Sequence, residues 1–211
     1  MIFDMDGLMI DSERVYVKCA ERVLKKYGIR SCDFVMETIG VNWIRTEEIY
    51  HECCPDLDYP AYQKDLRAEV QAYLEKHPFK VKKGLRKLLN YLKKEKILMA
   101  VATSTDRDRA QQRLDDVKIT DYFDYMICGN DLSESKPSPQ IYLKVLEHFG
   151  VDAKDALVFE DSRNGLLSAY NAGIRCVVVP DICIIEEETL KKAYRVIPDL
   201  AKGIELIQED S

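Results

Sequence analysis

No apolar run in these 211 residues approaches the roughly 20 needed to span a bilayer, and the N-terminus lacks a signal peptide's charged-then-apolar layout. Positive charge is in deficit as well. Lys and Arg number 31 against 37 Asp and Glu, giving a net charge of −6 and a pI near 5.3. That balance argues against a general nucleic-acid binder, which would carry a basic face. The basic residues lie in helix-like stretches such as KKGLRKLLNYLKKEK and read as a solvated face. Seven cysteines are present, an odd number with no CxxC pair, so no disulfide framework is expected and a reduced, cytoplasmic protein follows. His51, Cys53 and Cys54 fit no common zinc spacing and read as ordinary helix residues. Internal repeats and low-complexity segments are missing too.

What is present begins with MIFDMDGLMIDSE. Met1 to Phe3 has the apolar character of a strand end buried on both faces of a parallel sheet. Asp4 and Asp6 follow at a spacing that would share one face if the strand continued, but Gly7 breaks it into a loop. Loops at the carboxyl ends of parallel strands form the ligand crevice of open α/β sheets. The motif alone is equally compatible with a polar loop holding an Asx turn. The first strand is short, which raises the question of residues preceding Met1 in the full-length protein.

From about residue 81, strands and helices alternate. Leu85, Leu88, Leu89 and Leu92 form one helical face. ILMAVATS (97–104) reads as a buried strand, 106–116 as a polar helix and YMICGN (125–130) as a short strand. Ile141, Tyr142, Val145, Leu146 and Phe149 make a helical stripe stopped by Gly150. ALVFED (156–161) is strand-like, GLLSAYNAG (165–173) helical, and RCVVVP (175–180) a further strand. Such alternation predicts an α/β fold: a Rossmann-like parallel sheet with right-handed crossovers and helices on both faces. Residues 12–80 differ, because Val15, Cys19, Val23 and Tyr27 set a helical period and no segment reads as a buried strand. The expected organisation is a core of 1–11 and 81–211 with an inserted all-α cap of 12–80, hinged at Asp11-Ser12 and Phe79–Lys83.

Four strand ends then carry polar residues: Asp4 and Asp6; Thr103, Ser104 and Thr105; Lys136 in SESKPSP; and Glu160 with Asp161. In a parallel sheet these ends share one edge, so the residues converge on one crevice. Each alone has a plainer reading, as a helix cap or a solvated lysine. All four at successive strand ends are harder to dismiss. The order DxDG, strand-T-S, K-P, strand-E-D-S-x-x-G resembles the haloacid dehalogenase superfamily of phosphotransferases over the whole chain. MIFDMDGLMIDSE, SKPSPQIY and VFEDSRNGLLSAYNAG resemble the branch with a helical cap after the first motif. That branch includes sugar-phosphate and phosphoglycolate-type phosphatases and β-phosphoglucomutase. Ser135 departs from it, standing where a glycine commonly precedes the lysine.

The resemblance implies that Asp4 is the nucleophile, forming an aspartyl phosphate, and that Asp6 is the acid/base for leaving group and water. It implies Mg2+ held by Asp4, the backbone carbonyl of Asp6, and Asp161, with Glu160 tuning the site from behind. Lys136, the Thr103 hydroxyl and the Ser104 amide would bind phosphoryl oxygens. The cap would exclude water and meet the rest of the substrate. In mutase relatives a histidine follows the first hinge and an arginine follows the cap glycine. Here those positions are Tyr16 and Trp43, with Arg45 nearby. The expectation is therefore a magnesium-dependent phosphatase of a small phosphorylated metabolite, a sugar or polyol phosphate, over a β-phosphoglucomutase-like transferase. A dehalogenase is disfavoured by Asp6 and the Glu160-Asp161 pair, and a silent binding protein by the intact nucleophile, lysine and metal acid. Asn42, Trp43, Arg45 and the tyrosine-bearing stretch 47–62 are expected to face or flank the crevice. Neither nucleic acid nor membrane is an expected partner, and a monomer or weak homo-oligomer is expected.

Overall fold

A computed structural model describes residues 1–41 and 43–209. The elements run β1 (Ile2–Phe3), α1 (Glu13–Lys26), α2 (Trp43–Cys53), α3 (Tyr59–Leu74), α4 (Leu85–Lys94), β2 (Ala100–Ala102) and α5 (Arg107–Asp116). They continue with β3 (Tyr125–Ile127), α6 (Gln140–Phe149), β4 (Leu157–Glu160), α7 (Arg163–Asn171), β5 (Arg175–Val178), α8 (Glu187–Leu190), β6 (Arg195–Val196) and α9 (Lys202–Glu209). The strands form one six-stranded sheet in the order β3-β2-β1-β4-β5-β6, parallel at every pairing. This is the doubly wound α/β architecture. The chain leaves central β1 toward β2 and β3, then returns to β4 on the other side, so the switch point lies at β1/β4.

Alternation along the strands assigns each face its helices. Phe3, Val101, Phe159 and Val177 pack with Leu85, Leu88, Leu89 and Leu92 of α4 and with Leu206 of α9. Ile2, Ala100, Ala102, Val158 and Val178 pack with Ile141, Tyr142 and Val145 of α6 and with Leu166 and Ala169 of α7. Phe3 stacks on Phe159 across the central pair, with ring centroids 5.1 Å apart. The regular strands are shorter than the apolar runs that announce them. The run 97–104 narrows to Ala100–Ala102, because the amide of Met99 turns to the Asp124 carboxylate. Helix α7 starts two residues earlier than its apolar pattern, since Ser162 caps it by accepting from the Gly165 amide at 3.0 Å. Strand β6 carries no apolar pattern that would have announced it, both of its residues being exposed.

Helices α1–α3 build a separate cluster around Cys19, Val23, Leu24, Tyr50, Tyr62 and Leu66. Asp58 caps α3 by accepting from Ala61 N at 3.0 Å, with Pro60 in the first turn where its missing N–H costs nothing. The two connections to the sheet run side by side: Asp11 N donates to Lys80 O at 2.9 Å and Lys82 N to Met9 O at 2.8 Å. Tyr50, Tyr59 and Tyr62 correct the expectation for 47–62. They lie buried inside the helical cluster, where the Tyr50 and Tyr62 hydroxyls meet at 2.6 Å, rather than facing a crevice.

Candidate active site

Asp4 is the first residue beyond β1, held in line by its amide donating to Phe159 O at 3.1 Å. The chain then turns at Gly7, whose φ of 83° suits glycine. A Cβ there would fall 2.1 Å from Asp161 Oδ2, so the turn packs directly against the acid from β4. Lys136 reaches in from the loop before α6, and its ammonium donates to Asp4 Oδ1 at 2.6 Å, Glu160 Oε1 at 2.6 Å and Ala102 O at 3.0 Å. Three donors meet three acceptors, and the lysine is 7% exposed.

Glu160 is fully enclosed. Its Oε1 accepts from Lys136 and from the Tyr142 hydroxyl at 2.8 Å, and its Oε2 from Asp161 N, Ser162 N and Ser162 Oγ at 3.1–3.2 Å. Asp161, 3% exposed, has no hydrogen bond to its carboxylate among the described residues. Asp4, Glu160 and Asp161 bring ligand-type oxygens within 4.8 Å of one another. Because five donors already occupy Glu160, the oxygens free for a cation are those of Asp4 and Asp161.

The charges tell the same story. Three buried carboxylates face one ammonium, a surplus of two negative charges when all are ionised. Burial pushes the Asp4 carboxyl up to about 8, against the pull of Lys136 and with a push from Glu160. Burial and the Asp4 charge raise Asp161 well above the carboxylate range. Burial alone would lower Lys136, but Asp4 and Glu160 outweigh it and keep the ammonium charged. A divalent cation between Asp4 and Asp161 matches both the surplus and the unpartnered oxygens.

Asp6 points to another set of partners. Its Oδ1 accepts from Ser12 Oγ at 2.6 Å and from the Arg113 guanidinium, and its Oδ2 from Thr105 Oγ1 at 2.7 Å. Arg113 also donates to the Tyr16 hydroxyl at 2.6 Å. Thr103 is buried and accepts from Thr105 N at 3.1 Å, while Ser104 is exposed and its amide has no internal acceptor among the described residues. Every residue singled out at the four strand ends thus lies at this edge, Asp6 by its neighbours rather than in the acidic cluster. Arg113 and Tyr142 escaped the sequence reading. Both sit within helices, one in a polar segment and one in an apolar stripe, where nothing distinguishes them from face residues.

The helical cluster is seated on the core. Asn164 Nδ2 donates to Gly40 O at 2.8 Å, and Arg14 pairs with Asp181 at 2.5 Å. Arg45 lies on the exposed face of α2, ion-paired to Glu48 and Glu52 at 3.1 and 2.8 Å. Asn42 and the Trp43 side chain lie outside the described residues.

A doubly wound sheet with a buried Asp–Lys–Asp centre at its switch point, under a helical insertion, defines a class of α/β enzyme. The haloacid dehalogenase-like hydrolase family model matches residues 1–179, and the chain belongs to that family. A Thermotoga maritima protein named phosphorylated carbohydrates phosphatase is 34% identical over 175 residues, 82% of this chain and 81% of that one. A Drosophila melanogaster protein named "Probable pseudouridine-5'-phosphatase" is 31% identical over 210 residues, 95% of this chain and 89% of that one. The solved β-phosphoglucomutase of Clostridium difficile superposes with a TM-score of 0.79 at 20% identity, covering 99% of this chain and 94% of that one, a likeness of fold alone.

Proposed function

We propose that this protein is a magnesium-dependent phosphomonoester hydrolase that acts on a small phosphorylated metabolite, a sugar or polyol phosphate, through an aspartyl phosphate on Asp4. The observation that carries this reading is the convergence of Asp4, Lys136 and an unpartnered Asp161 on one buried point. Bound Mg2+ would be held by Asp4, the Asp6 carbonyl and Asp161, and would neutralise phosphoryl charge there. Glu160 holds Lys136 in place rather than serving as a ligand.

The remaining work belongs to the chain. Lys136 fixes one oxygen of Asp4, and the other has no protein partner among the described residues. An Asp4 oxygen attacks phosphorus as the ester P–O bond breaks, and Asp6 gives its proton to the departing alkoxide. Water then attacks the aspartyl phosphate, Asp6 takes that proton, and phosphate leaves with Asp4 restored. The Ser104 amide and the Thr103 hydroxyl donate to the phosphoryl oxygens, and Lys136 opposes their charge. To transfer its proton, Asp6 must turn from Ser12, Thr105 and Arg113 toward the leaving oxygen. Helices α1–α3 form the cap of residues 12–80, which covers the reacting atoms from water.

The mutase reading is weaker because Tyr16 and Trp43 stand where mutase relatives carry the histidine and arginine, and the nearby Arg45 is ion-paired to Glu48 and Glu52. Phosphate release from sugar, polyol and nucleoside monophosphates, with and without Mg2+, tests the proposal. We expect Mg2+-dependent release that is abolished in Asp4→Asn. Release surviving in Asp4→Asn, or isomeric sugar phosphate formed without free phosphate, would overturn it.

A further inference from the structure

Arg113 performs no step in the chemistry above, yet it is the cation that pairs with Asp6. Helix α5 carries three arginines. Arg107 and Arg109 are exposed and pair with Asp131 and Asp106, whereas Arg113, in the last turn, is 8% exposed. Its guanidinium donates to Asp6 Oδ1 and, at 2.6 Å, to the Tyr16 hydroxyl, with Thr105 Oγ1 at 3.4 Å. Two ring faces flank it, the guanidinium carbon lying 5.2 Å from the Tyr16 centroid and 5.6 Å from that of Phe79. These partners come from two sides. Asp6 and Thr105 belong to the carboxyl edge of the sheet. Tyr16 belongs to α1, Phe79 to the second connection, and Ser12, which shares Asp6 Oδ1, to the first. One buried cation thus joins the proposed acid/base to the helical insertion.

A buried guanidinium is costly to leave unpaired. Proton transfer requires Asp6 to turn toward the leaving oxygen, which takes from Arg113 the only carboxylate it contacts among the described residues. The Tyr16 hydroxyl and the two ring faces stay behind. They would keep the cation bonded once Asp6 has moved, and so lower the cost of the turn. An Arg113–Tyr16 contact that only fastened α1 to the core would instead act alike on every ester.

We infer that Arg113 and Tyr16 are positioning residues: Arg113 holds Asp6 at rest, and the Tyr16 hydroxyl retains Arg113 when Asp6 turns, so that proton transfer depends on α1 being seated. This rests on the hydrolase reading and adds to it the residues that govern its acid/base.

The test is Tyr16→Phe, which keeps the ring and removes the acceptor. With Mg2+ and the sugar monophosphate that the wild type turns over fastest, kcat should fall at least ~10-fold, the order of a hydrogen bond to a charged group, with KM changed by less than about 3-fold. Single-turnover release of p-nitrophenolate from p-nitrophenyl phosphate reads the first displacement alone. It should fall by less than about 2-fold, because that leaving group departs without a proton. In an Arg113→Met background, Tyr16→Phe should have no further effect on the sugar ester, since the cation that needed the acceptor is gone. Arg113→Gln takes its place if thermal unfolding shows that Arg113→Met does not fold. An equal loss on the two esters, no loss on the sugar ester, or a loss undiminished without Arg113 would overturn the inference and leave the hydrolase standing. A wild-type protein that releases phosphate from no ester, p-nitrophenyl phosphate included, would remove the hydrolase reading itself.

Discussion

At the scale of single residues, Asp4 and Asp6 stand two apart in sequence yet belong to different networks. Asp4 shares Lys136 with Glu160, whereas Asp6 is held by two hydroxyls and a guanidinium. Only Met5 separates them, and the chain turns at Gly7 just after Asp6. The proposed nucleophile and the proposed acid/base therefore divide by environment, and Asp6→Asn should cut kcat at least ~100-fold in a phosphate-release assay, the usual worth of a positioned proton donor. A loss below about 10-fold would make Asp6 structural. Lys136 carries a second prediction. Lys136→Met removes the one ammonium that faces two buried carboxylates, so it should destabilise the fold by about 3–5 kcal/mol in urea titration. Lowering the pH should recover part of that loss, because protonating Asp4 removes unpaired buried charge. A destabilisation that is the same at pH 5 and pH 8 would contradict this account.

At the scale of elements, the N-terminus of α7 links helix geometry to the reacting centre. Gly165 lies in its first turn, and a Cβ there would fall 1.8 Å from the Glu160 carboxylate. Gly→Ala inside a helix ordinarily gains about 1 kcal/mol. Here the displaced Glu160 would take Lys136 with it, so Gly165→Ala should instead cost about 1–3 kcal/mol in thermal or chemical unfolding and lower kcat as well. A gain in stability with full activity would show that Glu160 does not hold the lysine. The same elements show what the sequence could convey. The leucine stripe of α4 and the strand-end positions of Asp4, Thr103, Lys136 and Asp161 were legible, because apolar periodicity and polar strand ends are local signals. Arg113 and Tyr142 were not, since only tertiary folding brings a helix side chain to Asp6 or Glu160. The tyrosines at 50, 59 and 62 misled for a related reason: an aromatic stripe fits the inside of a small helical cluster as well as a ligand surface, and their spacing cannot distinguish the two.

At the scale of the whole molecule, stability and chemistry are linked through the buried charge surplus. The folded Asp4 carboxyl is pushed up to about 8, chiefly by burial, with Asp161 raised in the same direction, while both return to ordinary values when the chain unfolds. The facing groups are Lys136 from the loop before α6, Glu160 and Asp161 from β4 and its end, and Asp6 from the β1 turn. Between the ordinary carboxylate range and pH 8, the folded state therefore holds more protons than the unfolded one. By linkage, stability without metal falls as pH rises through that window. A divalent cation takes the place of those protons and binds only the folded centre, so it should stabilise by mass action most where they are missing. The upward shift in Tm from millimolar Mg2+ should accordingly be small at pH 5 and grow toward pH 8. Asp161→Asn should largely remove both the Mg2+ effect and the decline with pH, because it deletes one of the two carboxylates that create the surplus. A Tm shift of equal size at pH 5 and pH 8, or one that persists in Asp161→Asn, would place the cation elsewhere and separate the acidic centre from the phosphoryl chemistry assigned to it.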